Sequence, residues 1–385
     1  MDDRSPFAEL QIQESAVGID PGFSDQARPM PIDDLHIDDL LREAAQRGAS
    51  DLHVTVGLPP VFRVDGQLVR GNYPPLMANQ AQRLIYDILS TDQVQWFEKT
   101  RELDFSYGVK DIGRYRVNMY HQRGSIAAAL RLIPVEVPSF EQLRLPPILR
   151  DLTKKHSGLI LVTGPTGSGK STTIASMVDS INCEFPCHII TIEDPIEYLY
   201  RHKRAMVNQR ELNSDTDSFE NALRAVLRED PDVILIGEMR DLETISAALT
   251  LAETGHLVFG TLHTRNAPQT IDRVIDVFPP HQQAQVRVQL SNTLEAVVAQ
   301  QLLPRTGGGR VACVEVMIAT SAIRNLIREG KTHQVYSAIE TGSQHGMQAM
   351  DKMLAELYRS ALVSYEDAES RAIDPENFRR FLQGG

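Results

Sequence analysis

Gly164-Pro165-Thr166-Gly167-Ser168-Gly169-Lys170-Ser171, with Thr172 following, has the residue types and spacing of a phosphate-binding loop. Glycines let backbone N–H groups wrap a phosphate chain, and the following helix adds its positive N-terminal end. Lys170 is placed to reach β- and γ-phosphates, and the Ser171 hydroxyl to ligate Mg²⁺. The context fits this chemistry. Leu159-Ile160-Leu161-Val162-Thr163 reads as a continuous apolar strand before the loop, and a helix reads after it.

Two carboxylate clusters close further apolar strands. Ile192-Glu193-Asp194-Pro195 ends one, and Ile236-Gly237-Glu238 ends another. Ligands in open α/β sheets bind at the carboxyl ends of the strands, where acids can hold Mg²⁺ and activate water. P-loop proteins usually carry an Asp where Gly237 stands, so Glu238 is expected to serve in its place. Taken alone, such acids are often turn residues; beside a P-loop they read as site residues. His256 and His263 flank the strand Leu257-Val258-Phe259, and their spacing is not that of a helical metal pair. Arg114 and Arg116 alternate with period two and share one strand face, while Arg123 follows that strand. They read either as a solvated basic face or as arginine fingers acting on phosphate. Cys183, Cys187 and His188 lack a fourth ligand at a zinc spacing.

The elements that must position these groups fall into a plan. Residues 1–34 carry eight acidic and two basic residues, half of the net charge of −12, and are expected to be a disordered acidic tail. Residues 35–133 mix a helix from Ile37 to Arg47, a second near Gln80–Leu89 and short strands, the pattern of a small α+β domain. Pro134, Pro138, Pro146 and Pro147 mark a linker over 134–150. Residues 151–385 alternate apolar strands (159–163, 188–192, 233–236, 257–259) with helices, the pattern of an α/β, largely parallel sheet. Ser321 and Gly330 bracket a helix over 322–329, with Ile323, Leu326 and Ile327 on its packed face and Arg324 and Arg328 beside them.

Composition narrows the function. A net charge of −12 and no basic–aromatic interleaving count against nucleic acid as a partner. Three cysteines make no disulfide framework, the opening Met1-Asp2-Asp3-Arg4 lacks a signal-peptide plan, and no apolar run is long enough for a membrane helix. A cytoplasmic protein is expected.

These motifs together resemble those of the type II/IV secretion ATPases. Thr191–Tyr198 is similar to their Asp box, Asp232–Asp241 to their atypical Walker B, and Thr254–Thr264 to their His box. Ala322–Glu329 resembles the signature of the branch that retracts type IV pili, and Gly48–His53 matches that branch's N-terminal domain. The resemblance covers about 35–385. It implies a RecA-like P-loop ATPase domain after a PAS-like domain, with ATP and Mg²⁺ as ligands. It further implies a homohexamer acting on an inner-membrane pilus platform protein, and membrane association only through partners at the cytoplasmic face of the inner membrane. It assigns Glu193 as general base, Glu238 to the Mg²⁺–water shell, and His263 to the γ-phosphate. It makes Arg114, Arg116 and Arg123 the candidates for completing a neighbour's site, without choosing among them. Extension motors usually carry a four-cysteine zinc insert, absent here, which favours retraction. ATPases of conjugation-type secretion systems share the same boxes and are the alternative; a RecA-like nucleic-acid translocase and a non-hydrolysing regulator are more distant ones.

Overall fold

The computed structural model describes residues 32–383. The expected tail lies outside the described residues except at its end, where Ile32 is buried. Arg83 donates to the Ile32 carbonyl at 2.8 Å, and Gln80 to Asp33 at 2.7 Å.

Six strands form the first sheet: β1 (Asp51–Val54), β2 (Val61–Val64), β3 (Gln67–Arg70), β4 (Glu102–Val109), β5 (Gly113–Gln122) and β6 (Ser125–Ile133). They pair in the order β3-β2-β1-β6-β5-β4, antiparallel throughout. Period-two alternation gives the sheet two unlike faces. Leu52 and Val54 of β1, with Tyr115, Val117 and Met119 of β5, enter one core. Helices α1 (Ile37–Gln46), α2 (Ala78–Tyr86) and α3 (Thr91–Thr100) close it with Leu40, Leu84 and Phe97. Arg114, Arg116 and Tyr120 take the opposite face.

Seven strands form the second sheet: β7 (Gly158–Thr163), β8 (His188–Glu193), β9 (Met206–Glu211), β10 (Val233–Ile236), β11 (Leu257–Leu262), β12 (Leu294–Pro304) and β13 (Arg310–Ile318). Their order is β13-β12-β7-β11-β10-β8-β9, parallel except for the β12–β13 hairpin. Odd and even residues of β7 enter separate cores, Leu159 and Leu161 on one face and Ile160 and Val162 on the other. A strand buried on both faces therefore reads as an unbroken apolar run.

Between the sheets, 134–139 is free of helix and strand, but the rest of the expected linker is packed. Helices α4 (Phe140–Leu143) and α5 (Ile148–Leu152), with the turn between them, bury Phe140, Leu145 and Leu149 against the second sheet. These apolar residues gain more from that core than the prolines lose in regular hydrogen bonding. Around the second sheet stand α6 (Lys170–Glu184), α7 (Phe219–Val226), α8 (Leu242–Glu253), α9 (Ala267–Asp276) and α10 (Pro280–Thr293). Then come α11 (Ser321–Arg328), α12 (Val335–Thr341), α13 (Met350–Arg359), α14 (Tyr365–Arg371) and α15 (Pro375–Gln383).

Helix α11 corrects two expectations. Its N-cap is Thr320, whose hydroxyl accepts from the Ile323 amide, and Ser321 is already helical. Gly330 does take the left-handed conformation, at φ +67°. Leu326 is only half-buried. Arg324 is not solvated beside Arg328. It donates to the Ser291 and Asn292 carbonyls at 2.7 and 2.8 Å, capping the end of α10, and to Glu295 at 2.7 Å.

Hydrogen bonds from a charged group contribute about 1.5–3 kcal/mol, so Arg324→Ala should lower unfolding free energy by about that amount. The exposed Arg328→Ala should stay within about 0.5 kcal/mol of the parent. Denaturant titrations of the two variants check the contrast.

Candidate functional site

The parallel register brings the expected residues to one edge. Ile192 stands beside Ile236, Ile236 beside Gly260, and Leu262 beside Thr163. The P-loop, the Glu193 loop, Glu238 and His263 therefore all leave the same ends of β7, β8, β10 and β11.

The P-loop adopts the conformation that its glycines permit. Gly167 and Gly169 have φ of +78° and +87°, and Gly169 leads directly into α6. A Cβ on Gly164 would lie 2.2 Å from the Gln300 carbonyl oxygen, so no other residue fits. Lys170, at 9% exposure, donates to the Gly164 and Pro165 carbonyls at 2.8 and 3.3 Å. Burial lowers its pKa, and the charges of Glu238 and Glu197 oppose that shift. The ammonium is thus folded back on the loop, held by neutral carbonyls that a phosphate can outbid.

Gln300 of β12 clamps the loop from below. It accepts from the Thr173 hydroxyl at 2.7 Å and donates to the Ser168 carbonyl at 2.8 Å. Ser171 donates to Glu197 at 2.7 Å, and the Thr172 hydroxyl lies 3.0 Å from that of Tyr198.

Glu193 is almost wholly buried, and desolvation pushes its pKa up to about 7. Hydrogen bonds from Thr191 at 2.6 Å and Gln209 at 3.2 Å offset part of that rise. A carboxyl poised there can accept a proton from water near neutral pH. Glu238 is the opposite case. Its bond with Arg240, then that with His263, holds its pKa below the usual carboxylate range. Arg240 binds it at 2.6 Å and His263 Nε2 at 2.8 Å. The two acids are therefore tuned apart, one towards proton transfer and one towards permanent charge.

Gly237 has a steric reason to replace an acid. A Cβ there would sit 3.1 Å from the Ile192 carbonyl oxygen and 3.2 Å from Glu193 Cα. His256 lies at the far end of β11, where its Nδ1 is 2.9 Å from the Leu251 carbonyl, away from the other groups.

The arginines separate. Arg114 lies 3.9 Å from Glu211, the last residue of β9, and Ser106 donates to the same carboxylate at 2.5 Å. Glu211 also accepts from the Ile196 amide at 3.2 Å, inside the loop that follows Glu193. Arg116 lies 4.0 Å from Asp104. Arg123 sits at the tip of the β5–β6 hairpin with φ +48°. At about 3.4 Å per residue it is about 30 Å along the strand from Arg114, so one phosphate cannot engage both from one subunit.

Mg²⁺ fits the oxygen donors here, the Ser171 hydroxyl and the Glu238 carboxylate, which are hard ligands. Among the described residues no three His, Cys, Asp or Glu side chains converge as a metal cage. Sequence reading missed Gln300, Gln209, Thr191, Glu197 and Arg240 as site residues. Glu197 and Arg240 lie inside motifs already singled out; Gln209 and Gln300 lie on strands with no local signal.

A family model described as type II/IV secretion system protein matches residues 25–367. The type IV pilus retraction ATPase PilT of Pseudomonas aeruginosa is 53% identical over 344 residues, spanning 89% of this chain and 100% of the relative. The crystal structure of the pilus retraction motor PilT with bound ADP aligns at TM-score 0.85 and 52% identity, covering 90% of this chain and 100% of that one. The ATPase DotB of Legionella pneumophila aligns at TM-score 0.72 and 27% identity, over 89% of this chain and 99% of that one. The second sheet is thus the RecA-like core expected from the motifs. With strand edge, P-loop and whole-length similarity in agreement, the chain belongs to the type II/IV secretion system protein family and is an ATP-hydrolysing motor enzyme.

Proposed function

We propose that this ATPase powers the retraction of a type IV pilus. The observation that carries the reading is 53% identity spanning the full length of a relative named for that activity. The DotB-like alternative rests on about half that identity. In this reading the chain works as a homohexamer on an inner-membrane platform protein, at the cytoplasmic face, and without nucleic acid. Residues 35–133 form its N-terminal domain and 151–385 its motor, with 134–150 between them. No helix among the described residues is long and apolar enough to cross a membrane.

The chemistry follows from the site. Gly164–Thr172 bind the phosphates of ATP, and Lys170 exchanges its carbonyl partners for phosphate oxygens. Ser171 and Glu238 would hold Mg²⁺, which when bound would supply positive charge to the β- and γ-phosphates. Glu193 takes the proton of the attacking water, and His263 orients towards the γ-phosphate from its hydrogen bond to Glu238. Arg114, Arg116 and Arg123 of the N-terminal sheet are the candidates for adding positive charge to the transition state in a neighbouring subunit's site.

Deletion of the gene should leave cells with excess surface pili and no twitching, and a Lys170→Ala copy should not restore movement. Loss of all pili on deletion would make the chain an extension motor instead.

Glu193 must be deprotonated to act as base, so turnover should climb as pH rises through about 7 and level off above it. Glu193→Gln should remove that limb and lower turnover about 10²–10⁴-fold. Steady-state phosphate release at saturating ATP from about pH 5.5 to about pH 9 checks both effects.

Subunits carrying Arg114→Ala and Arg116→Ala, mixed with Lys170→Ala subunits, should regain turnover if the arginines serve a neighbour. Flat, inactive mixtures at every ratio would count against action on a neighbour.

A further inference from the structure

The face of the N-terminal sheet turned away from α1–α3 is only partly used. Near β4 it meets the motor through Ser106 and Arg114. At its other end lies an open groove of 530 Å³, lined by residues of β1, β2, β3, β5, β6 and the loop after β1. Its apolar lining is unusually exposed: Leu68 at 59%, Tyr120 at 38% and Leu58 at 36%. Its ionised side chains, Arg63 and Arg70, are both basic; Arg63 lies 3.7 Å from Asp51, which Arg131 also binds at 2.7 Å, so the face keeps an excess of positive charge. Arg70 is exposed, with no hydrogen bond or ion pair among the described residues. His53, also in the lining, has a buried Nε2 without a partner. β3 is an edge strand whose four residues are all exposed. Such an edge normally carries charge or a cover.

We propose that the acidic N-terminal segment of the same chain covers this groove. Residues 1–31 hold six acidic and two basic residues, a charge of −4 opposite a lining whose fixed charges are positive. Within them Glu9-Leu10-Gln11-Ile12-Gln13-Glu14 sets two apolar side chains between two acids. That is the complement of Leu58, Leu68 and Tyr120 flanked by Arg63 and Arg70. The chain can reach. It is pinned at Ile32, whose carbonyl Arg83 of α2 holds. The 18 steps from residue 14 to residue 32 span up to about 60 Å when extended. Leu10 and Ile12 would cover the exposed apolar lining, and Glu9 and Glu14 would pair with the two arginines. Tethering supplies a high effective concentration, so weak contacts suffice.

The test uses the full chain and amide hydrogen exchange in segments 61–70 and 118–122. Leu10→Asp with Ile12→Asp should speed exchange there about tenfold or more, leaving segments on α1–α3 unchanged. Arg63→Glu with Arg70→Glu should do the same. Adding Glu9→Arg and Glu14→Arg to that pair should restore protection, which a mere loss of folding would not allow. Exchange unmoved by the tail changes would overturn the proposal. So would protection that rises with protein concentration regardless of the tail, because a second copy would then be the occupant. ATP turnover is not the readout, so the outcome stands apart from the proposed motor function.

Discussion

The alignment of strand ends in the parallel sheet is the constraint on which everything else rests. β7, β11, β10 and β8 run side by side in the same direction, and each ends one loop short of the nucleotide edge. A shift of one residue in any strand would turn its side chains to the other face. Glu193 would then leave Thr191 and Gln209, and Glu238 would leave His263. Two fully apolar cores, one on each face, hold that register.

Close approach at the edge explains several residue choices. Gly164 stands where a side chain would collide with the Gln300 carbonyl, and Gly237 where one would crowd Ile192 and Glu193. With glycine at 237, Glu238 is the acid that follows β10. Its partners Arg240 and His263 keep it ionised, whereas Glu193 sits in a dry pocket that raises its pKa. Two glutamates of one edge thus acquire different chemistry from their surroundings.

Glu211 ties this edge to the N-terminal sheet. One carboxylate meets Ser106 and Arg114 on one side and the Ile196 amide of the Asp-box loop on the other. A change in the loop that carries Glu193 is therefore mechanically close to the N-terminal domain. Such a junction is what a motor needs if hydrolysis is to move one domain against the other.

Local pattern alone was enough to reveal the P-loop sequence, the two acids at strand ends and the four central strands, whereas a role for His263 came only from the family resemblance. Each of these depends on near neighbours in sequence: a glycine spacing, an apolar run, an acid at a strand's end. The same locality made α1 legible, with Ile37, Leu40, Leu41 and Ala44 on one stripe. Only the tertiary structure decided the rest. Gln300 reaches the P-loop from a strand 127 residues beyond Thr173, and β9, with Asn208, Gln209, Arg210 and Glu211 in six residues, is too polar to read as a strand. Phe140 and Leu149 turned a proline-rich linker into part of the motor, because a core from distant residues was there to receive them. Nothing near Arg324 in sequence shows that α10 ends beside it. Contacts formed across such separations leave no trace in local composition, since either partner alone looks like an ordinary surface residue.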